Sequence, residues 1–193
     1  STHFLLRRLH SLTGIVFGLY ICVHLLVNAT LIEGTRVDQT GSVFQHQVDK
    51  IHALPFLLAV EWIAIYIPIL FHTIYGVYII ATGQPNVTHY KYGKNWAYLF
   101  QRISAVILIF FIAFHVLAMK GLFTHSLTFD PAHADASTAA HFQASALISY
   151  VVYPIGILAA CFHLANGFWT AAITWGLTVS AAAQRRWGAV CFL

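Results

Sequence analysis

The chain has 193 residues, of which 59% are apolar and only 8% are charged, and its net charge is +4. An average soluble domain is about one quarter charged, so this composition argues against an ordinary soluble enzyme or binding module. The basic residues do not cluster on any soluble domain, so the positive charge does not indicate a nucleic-acid partner. The composition instead predicts a protein embedded in a lipid bilayer.

Four apolar segments follow one another along the chain, and each exceeds the about 20 residues that a helix needs to cross the hydrocarbon core. They comprise residues 11–32, 54–81, 96–119 and 144–177. The fourth is long enough to tilt or to project beyond the bilayer, and Pro154 is a candidate kink. A fifth apolar run starts at residue 187, so we expect a fifth helix that continues past residue 193. Residues 1–10 are too short to be predicted as a cleaved signal peptide.

These segments predict a single all-α transmembrane domain over residues 1–193, a polytopic helical bundle with four full spans and the start of a fifth. Seven of the ten Lys and Arg flank the same ends of alternate spans: Arg7, Arg8, Lys91, Lys94, Arg102, Arg185 and Arg186. The opposite loops mix the other three with acidic residues: Arg36, Lys50, Lys120, Glu33, Asp38, Asp49, Asp130 and Asp135. Because cytoplasmic loops carry the excess of positive charge, we expect a cytoplasmic N-terminus.

Each of the four spans contains one histidine, and these are His24, His72, His115 and His163. An ionisable residue is costly inside a bilayer and usually has a partner or a function there. With a rise of about 1.5 Å per residue and alternating helix directions, His24 and His115 lie toward the outer side. His72 and His163 lie toward the inner side. We call these two sets the outer pair and the inner pair.

Two histidine pairs at two depths are typical of a four-helix bundle that encloses two stacked b haems. Neutral imidazole is a good iron ligand, and two imidazoles per haem give a low-spin electron carrier with no open position. A single membrane histidine is explained equally well as a hydrogen-bonding link between helices, but the joint pattern favours ligation. We expect most of the other histidines to be solvated: His3, His10, His46, His52, His89, His125, His133 and His141.

Other residues near the histidines are candidate haem contacts. Gly76 and Gly167 each follow a histidine of the inner pair by four residues and share its helix face, which leaves room for a flat macrocycle. At the inner end of the bundle, His10, Ser11 and Arg102 are candidate partners for haem propionates through charge-assisted hydrogen bonds.

Glu61 is the only carboxylate within an apolar run, and it lies toward the outer side. A carboxylate there can accept or pass protons, as a quinol site near the outer pair would require. A structural hydrogen bond to a neighbouring helix explains the residue equally well. The inner loops near His10 and Lys94 are a second candidate location for a quinone. The three cysteines form no CxxC pattern and the glycines form no GxG, so no motif for an iron–sulfur cluster, a c-type haem or a flavin is present.

Five stretches of sequence, in order along the chain, carry a family resemblance. They are RRLHSLTG at 7–14, HLLVN at 24–28, PILFHTIYGVY at 68–78, NWAYLFQR at 95–102 and FHLANGFWTAAITWGLT at 162–178. These stretches resemble the cytochrome b subunit of succinate dehydrogenases and fumarate reductases. The resemblance is closest to the type with one anchor polypeptide, five helices and two b haems. The bis-histidine ligands of that family match the four span histidines.

The resemblance implies a bacterial inner-membrane complex, with an FAD-containing flavoprotein subunit and an iron–sulfur subunit on the cytoplasmic side. It implies menaquinone as the usual quinone and electron transfer through two haems, without contact between the anchor and the dicarboxylate. Some fumarate reductases of this type carry a proton-conducting glutamate two residues before the fourth-helix histidine. Cys161 stands at that position here, which argues against such a proton route and favours an electrogenic reaction.

Two other interpretations remain open at the sequence level, and the direction of the reaction is not fixed. The first is the dihaem anchor of another respiratory enzyme such as nitrate reductase, against which the ordered motifs above argue. The second interpretation belongs to a different functional class, a transporter or helix-packing scaffold whose histidines relay protons. Haem content separates that class from the main interpretation, because a relay needs no haem.

Overall fold

The computed structural model describes residues 2–35, 42–123 and 128–193, and within these ranges the protein is all-helical with no strands. The predicted fold class is therefore confirmed. Four segments are long and apolar enough to cross a membrane: Thr2–Ile32, Leu57–Thr82, Gly93–Met119 and Ile148–Thr174. Arg36, Asp38 and His125, which entered the predictions above, lie outside the described residues, as does the side chain of Glu33.

Eight α-helices form the described part of the chain. They are α1 (Thr2–Ala29), α2 (Val43–His52), α3 (Leu57–Glu61), α4 (Ile67–Thr82), α5 (Gly93–Met119), α6 (Ala134–Gln143), α7 (Tyr153–Thr174) and α8 (Ala181–Phe192). Short 3-10 segments cover Thr30–Thr35 and Pro131–His133, and π-helical turns cover Trp62–Tyr66 and Ile148–Val152.

Helix boundaries differ from the apolar segments because backbone hydrogen bonding does not require an apolar side chain. Helix α1 begins at Thr2 rather than at residue 11 and so includes the basic turn around Arg8, whose guanidinium lies 5.0 Å from the ring centre of Trp175. Helix α8 begins at Ala181 rather than at residue 187, where the Ser180 hydroxyl accepts a hydrogen bond from the backbone N–H of Ala183.

Helix α7 ends at Thr174, three residues before the end of the fourth apolar segment. Gly176 takes the left-handed conformation with φ of +74°, and the N–H of Leu177 donates to the carbonyl of Ala172 over 2.8 Å. This is the hydrogen bonding of a glycine-terminated helix end, so the backbone stops the helix while the sequence is still apolar.

Both π-helical turns have the same sequence cause. Each lies just before a proline, Pro68 in α4 and Pro154 in α7. Proline lacks an N–H and its ring clashes with the carbonyl four residues earlier, so the preceding turn widens to i→i+5 bonds. The N–H of Ile67 accordingly donates to the carbonyl of Trp62, and that of Tyr153 donates to the carbonyl of Ile148. The candidate kink at Pro154 is thus an irregular turn at a defined place.

The long helices form a four-helix bundle. Helix α1 packs against α4 and α7, and α5 packs against the same two helices. The order around the bundle is therefore α1, α4, α5 and α7, which places α1 diagonally opposite α5 and α4 diagonally opposite α7. Helix α8 packs on the outside of α7.

The two loops on the predicted outer side pack together into a small cap, formed by α2 and residues 131–143. Phe44 and Val48 of α2 bury their side chains against Ala134. The side chain of Gln45 joins the two segments, because its Oε1 accepts from the N–H of Ala134 and its Nε2 donates to the carbonyl of Pro131, both over 2.7 Å. We refer to this unit as the outer cap.

One ion pair lies on the exposed surface of the outer cap. His133 Nδ1 lies 2.9 Å from Asp130 Oδ2. Hydrogen bonding to His133 holds the pKa of Asp130 below its ordinary value, and the same bond raises the pKa of His133. Since both side chains are exposed, the pair contributes little to stability.

Candidate functional site: two histidine pairs inside the bundle

The structure brings the four span histidines together in the two predicted pairs. The ring centres of His24 and His115 are 5.9 Å apart, and those of His72 and His163 are 6.2 Å apart. Each pair joins diagonally opposite helices, α1 with α5 and α4 with α7, so both pairs cross the interior of the bundle. The assignment of partners by depth along the helices therefore agrees with the geometry.

These separations suit two imidazoles that share one metal ion. Bonds of about 2 Å from a metal to two imidazole nitrogens hold the ring centres about 6 Å apart. Within the described ranges, no group of three or more His, Cys, Asp or Glu side chains is placed to hold a metal ion. A pair of imidazoles supplies only axial ligands, which is the donor set of a bis-histidine haem.

In the inner pair, the hydrogen-bond partners of both histidines favour one tautomer. His72 Nδ1 lies 3.0 Å from the carbonyl oxygen of His10, and His163 Nδ1 lies 3.2 Å from the carbonyl oxygen of Gln101. A carbonyl only accepts, so Nδ1 carries the hydrogen in each ring and Nε2 keeps a free lone pair. A metal-binding histidine needs this arrangement, in which the second nitrogen is tied to an acceptor.

A polar network holds His163 in place from the side of α5. Gln101 Nε2 donates to the carbonyl of His163 over 3.0 Å, and Gln101 Oε1 accepts from Asn166 Nδ2 over 2.8 Å. The hydroxyl of Ser104 lies 3.2 Å from His163 Nδ1 and donates to the carbonyl of Gln101. Ser104 and Asn166 are buried. Neither Gln101, Ser104 nor Asn166 was predicted from sequence, since such polar residues have many uses in membrane helices.

In the outer pair, the described part of the chain holds His115 by a side chain. His115 Nδ1 lies 3.0 Å from the hydroxyl of Tyr153, which itself lies 3.0 Å from His141 Nε2. The ring of His24 stacks on that of Tyr20, with centres 5.5 Å apart. The expectation of a solvated surface was wrong for His141, which belongs to α6 of the outer cap and is 0% exposed.

Two of the three propionate candidates have buried polar atoms without a partner. His10 Nδ1 and Arg102 Nε form no hydrogen bond within the described part of the chain. The ring of His10 lies 4.0 Å from that of His72, and the guanidinium of Arg102 lies 3.5 Å from the ring centre of Tyr98. A haem propionate is a chemically suitable partner for each of these two groups. The third candidate, Ser11, accepts a hydrogen bond from the indole N–H of Trp175.

The two glycines predicted to pack on haem are not required by the packing of the protein itself. A Cβ added at Gly76 would lie 3.7 Å from His10 Cε1, and one added at Gly167 would lie 3.7 Å from Gln101 Nε2, which are ordinary contacts. In contrast, a Cβ at Gly14 would lie 2.7 Å from His72 Cε1. The protein therefore explains Gly14 but leaves Gly76 and Gly167 available to a flat group beside the inner pair.

We expect Gly14→Ala to disturb the inner pair selectively, because the added methyl group would displace the His72 ring. Overpacking of this kind costs about 1–3 kcal/mol, which the ring relieves by rotating away from His163. The low-spin iron signal that ligation by the inner pair would give should therefore broaden or disappear, while the signal that ligation by the outer pair would give should be unchanged. Gly18→Ala is the matched control, because its methyl group would crowd the side chain of Leu164 to the same 2.7 Å. Equal spectra for the two variants would contradict the expectation.

Glu61 lies at the end of α3, half-buried, directly before the π-helical turn Trp62–Tyr66. Tyr20, whose ring stacks on that of His24, lies within the electrostatic reach of Glu61. The π-helical turn Trp62–Tyr66 lies between Glu61 and His72 and changes the angular register along this span.

Fold and site together define a polytopic membrane protein with two histidine pairs across a four-helix bundle. Residues 82–193 match the family described as succinate dehydrogenase/fumarate reductase transmembrane subunit. The chain is 33% identical to the succinate dehydrogenase cytochrome b558 subunit of Bacillus subtilis (strain 168) over 188 residues. This alignment covers 96% of this chain and 86% of that protein. The chain therefore belongs to the succinate dehydrogenase/fumarate reductase family of cytochrome b membrane anchors. No solved structure matches it significantly.

Proposed function

We propose that this chain binds two b haems and connects an iron–sulfur subunit to menaquinone. The observation that carries the proposal is the separation of 5.9 Å and 6.2 Å between the ring centres of the two histidine pairs. When bound, the two haems would supply one-electron redox centres at two depths in the membrane. The family relationship supports a role of this kind within a succinate dehydrogenase or fumarate reductase complex.

The residues of the chain would divide the work of holding the haems. His24 and His115 would ligate the outer iron, and His72 and His163 the inner iron. The carbonyls of His10 and Gln101 keep the inner ligands in the metal-binding tautomer. His10 and Arg102 would pair with propionates of the inner haem, while Ser11 would contribute only through the proton of its hydroxyl.

The partners follow from the family and not from the geometry. A succinate dehydrogenase anchor implies a flavoprotein subunit and an iron–sulfur subunit, which we place on the cytoplasmic side together with the N-terminus. The flanking basic residues support that orientation. Succinate or fumarate would react in the flavoprotein, so the anchor contributes electron transfer and quinone chemistry without touching the dicarboxylate.

Glu61 is our candidate for proton exchange with the quinone. Its position supports this role, because Tyr20, which stacks on His24, lies within its electrostatic reach. Cys161 stands two residues before His163, and its side chain is exposed. Because it is a cysteine, this position offers no carboxylate for a proton route along α7. This arrangement supports quinone chemistry on the outer side, with protons and electrons exchanged on opposite sides of the membrane.

The test is the haem content of the purified complex. Reduced-minus-oxidised absorption spectra and electron paramagnetic resonance spectra of the same sample should show two low-spin b haems per anchor chain. One haem would mean that one histidine pair is structural. A haem-free complex would leave the transporter or scaffold interpretation, in which the histidines relay protons.

A further inference from the structure

The two histidine pairs differ in how their imidazoles are oriented, and the difference concerns Tyr153. Both inner ligands face backbone carbonyls, whereas His115 of the outer pair faces the hydroxyl of Tyr153. That hydroxyl also contacts His141 Nε2, again over 3.0 Å. Tyr153 and His141 are buried, with 6% and 0% of their surfaces exposed. A connected row of three side chains thus runs from the outer pair into the outer cap.

The hydrogens in this row are coupled. A hydroxyl has one hydrogen and also accepts, so Tyr153 can accept from His115 while donating to His141, or the reverse. In the first arrangement His115 carries its hydrogen on Nδ1 and has a free Nε2 lone pair toward His24. In the second arrangement Nδ1 of His115 accepts, and its Nε2 carries the hydrogen and cannot bind a metal. A backbone carbonyl would enforce the first arrangement by itself, but a hydroxyl does so only when His141 accepts.

We propose that Tyr153 and His141 are positioning residues that hold His115 in its metal-binding tautomer and tune the outer haem. The proposal rests on the proposed haem ligation by His24 and His115. His141 Nε2 accepts from Tyr153, and the phenol oxygen accepts from Nδ1 of His115. This bond makes His115 a stronger electron donor to iron, so it lowers the reduction potential of the outer haem. The outer cap thereby acts on the outer redox centre through one buried side chain.

The local packing makes Tyr153 a suitable residue for substitution. Its ring is held between Phe111 and Phe142, with ring centres 5.4 Å and 4.5 Å away. The π-helical turn Ile148–Val152 ends directly before Tyr153 and sets the direction of its side chain. Since Tyr153→Phe keeps the ring and these contacts, it removes the two hydrogen bonds with little other change.

The experiment is a potentiometric titration of the purified complex. The two low-spin iron signals in electron paramagnetic resonance spectra monitor the two haems separately. In Y153F we expect two haems per chain, with the reduction equilibrium constant of the outer haem raised about tenfold, or about 59 mV for one electron. The inner haem should keep its potential. Ser104→Ala is the matched variant on the other side, because it removes a hydroxyl next to His163 and should change only the inner resonance.

Two substitutions of His141 separate tuning from a general loss of structure. His141→Gln keeps an acceptor for the Tyr153 hydroxyl, whereas His141→Leu fills similar space without one. We expect H141L to shift the outer haem in the same direction as Y153F and H141Q to stay closer to wild type. Because His141 acts through Tyr153, the double variant Y153F/H141L should show the shift of Y153F alone. Independent, additive shifts would overturn the proposal.

The outcomes distinguish this proposal from the proposed function. Unchanged potentials in Y153F, with two haems present, overturn the positioning role and leave the haem assignment standing. A haem-free wild type, or an H115A variant that retains both haems, overturns the haem assignment itself. If Y153F loses the outer haem altogether, retention of the outer haem in H141L and H141Q tests the positioning role instead. Loss in H141L with retention in H141Q supports the proposal, and identical behaviour of the two contradicts it.

Discussion

Replacement of His72 with alanine is expected to leave one low-spin b haem per anchor chain and to remove about half of the haem absorbance. The reason is that His72 faces His163 across the bundle, with 6.2 Å between ring centres, and alanine supplies no nitrogen at that position. The outer pair lies on the other two helices, so its haem should be retained. Haem content per chain and the iron resonances of the purified complex measure both effects.

The control variants test whether the loss is specific to the ligand position. His89 is an exposed loop histidine, and His89→Ala should keep both haems. His24→Ala should remove the other resonance and so assign each signal to its pair. The ring centre of His10 lies only 4.0 Å from that of His72, so His10 could replace His72 as the iron ligand in the single variant. The double variant H10A/H72A removes this replacement ligand. Two unchanged resonances in that double variant would show that His72 is not a ligand.

The bundle and the histidine pairs could be predicted because they depend on properties that sequence displays directly. Apolar length identifies a membrane helix, and a fixed rise per residue converts position along the helix into depth. Neither step requires knowledge of side-chain contacts. Helix ends were predicted less well, because they depend on caps such as Ser180 and on the left-handed turn at Gly176.

The outer cap was not predicted, because its segments carry no periodic apolar pattern long enough to indicate packing. Its core is small, and the Gln45 side chain that joins α2 to the segment before α6 looks like any polar loop residue in the sequence. His141 was therefore interpreted as solvated, and Tyr153 was not singled out. One signal was available, since Pro154 predicted an irregular turn at the place where Tyr153 turns toward the outer pair.

Replacement of Glu61 with glutamine is expected to reduce quinone turnover by about 100-fold while both haems are retained, because a proton donor and acceptor is lost without a change of shape. Glu61 is the only carboxylate within the four apolar runs, and Tyr20, which stacks on His24, lies within its electrostatic reach. Glutamine keeps the hydrogen-bonding capacity of the side chain, so a purely structural Glu61 would tolerate the change. The measurement is quinone-linked electron transfer, together with haem content and haem reduction by the partner subunits.

A conservative variant and a comparison of two rates make this prediction specific. Glu61→Asp keeps a carboxylate and should retain much more turnover than Glu61→Gln, whereas a role in helix packing predicts that the shorter Asp is the more damaging change. Reduction of both haems should remain fast in Glu61→Gln, since the defect lies between the outer pair and the quinone. Normal turnover in this variant would place the quinone elsewhere, and the inner end near His10 and Lys94 would then become the first candidate. Slow haem reduction would instead place the defect before the outer haem and remove Glu61 from the quinone site.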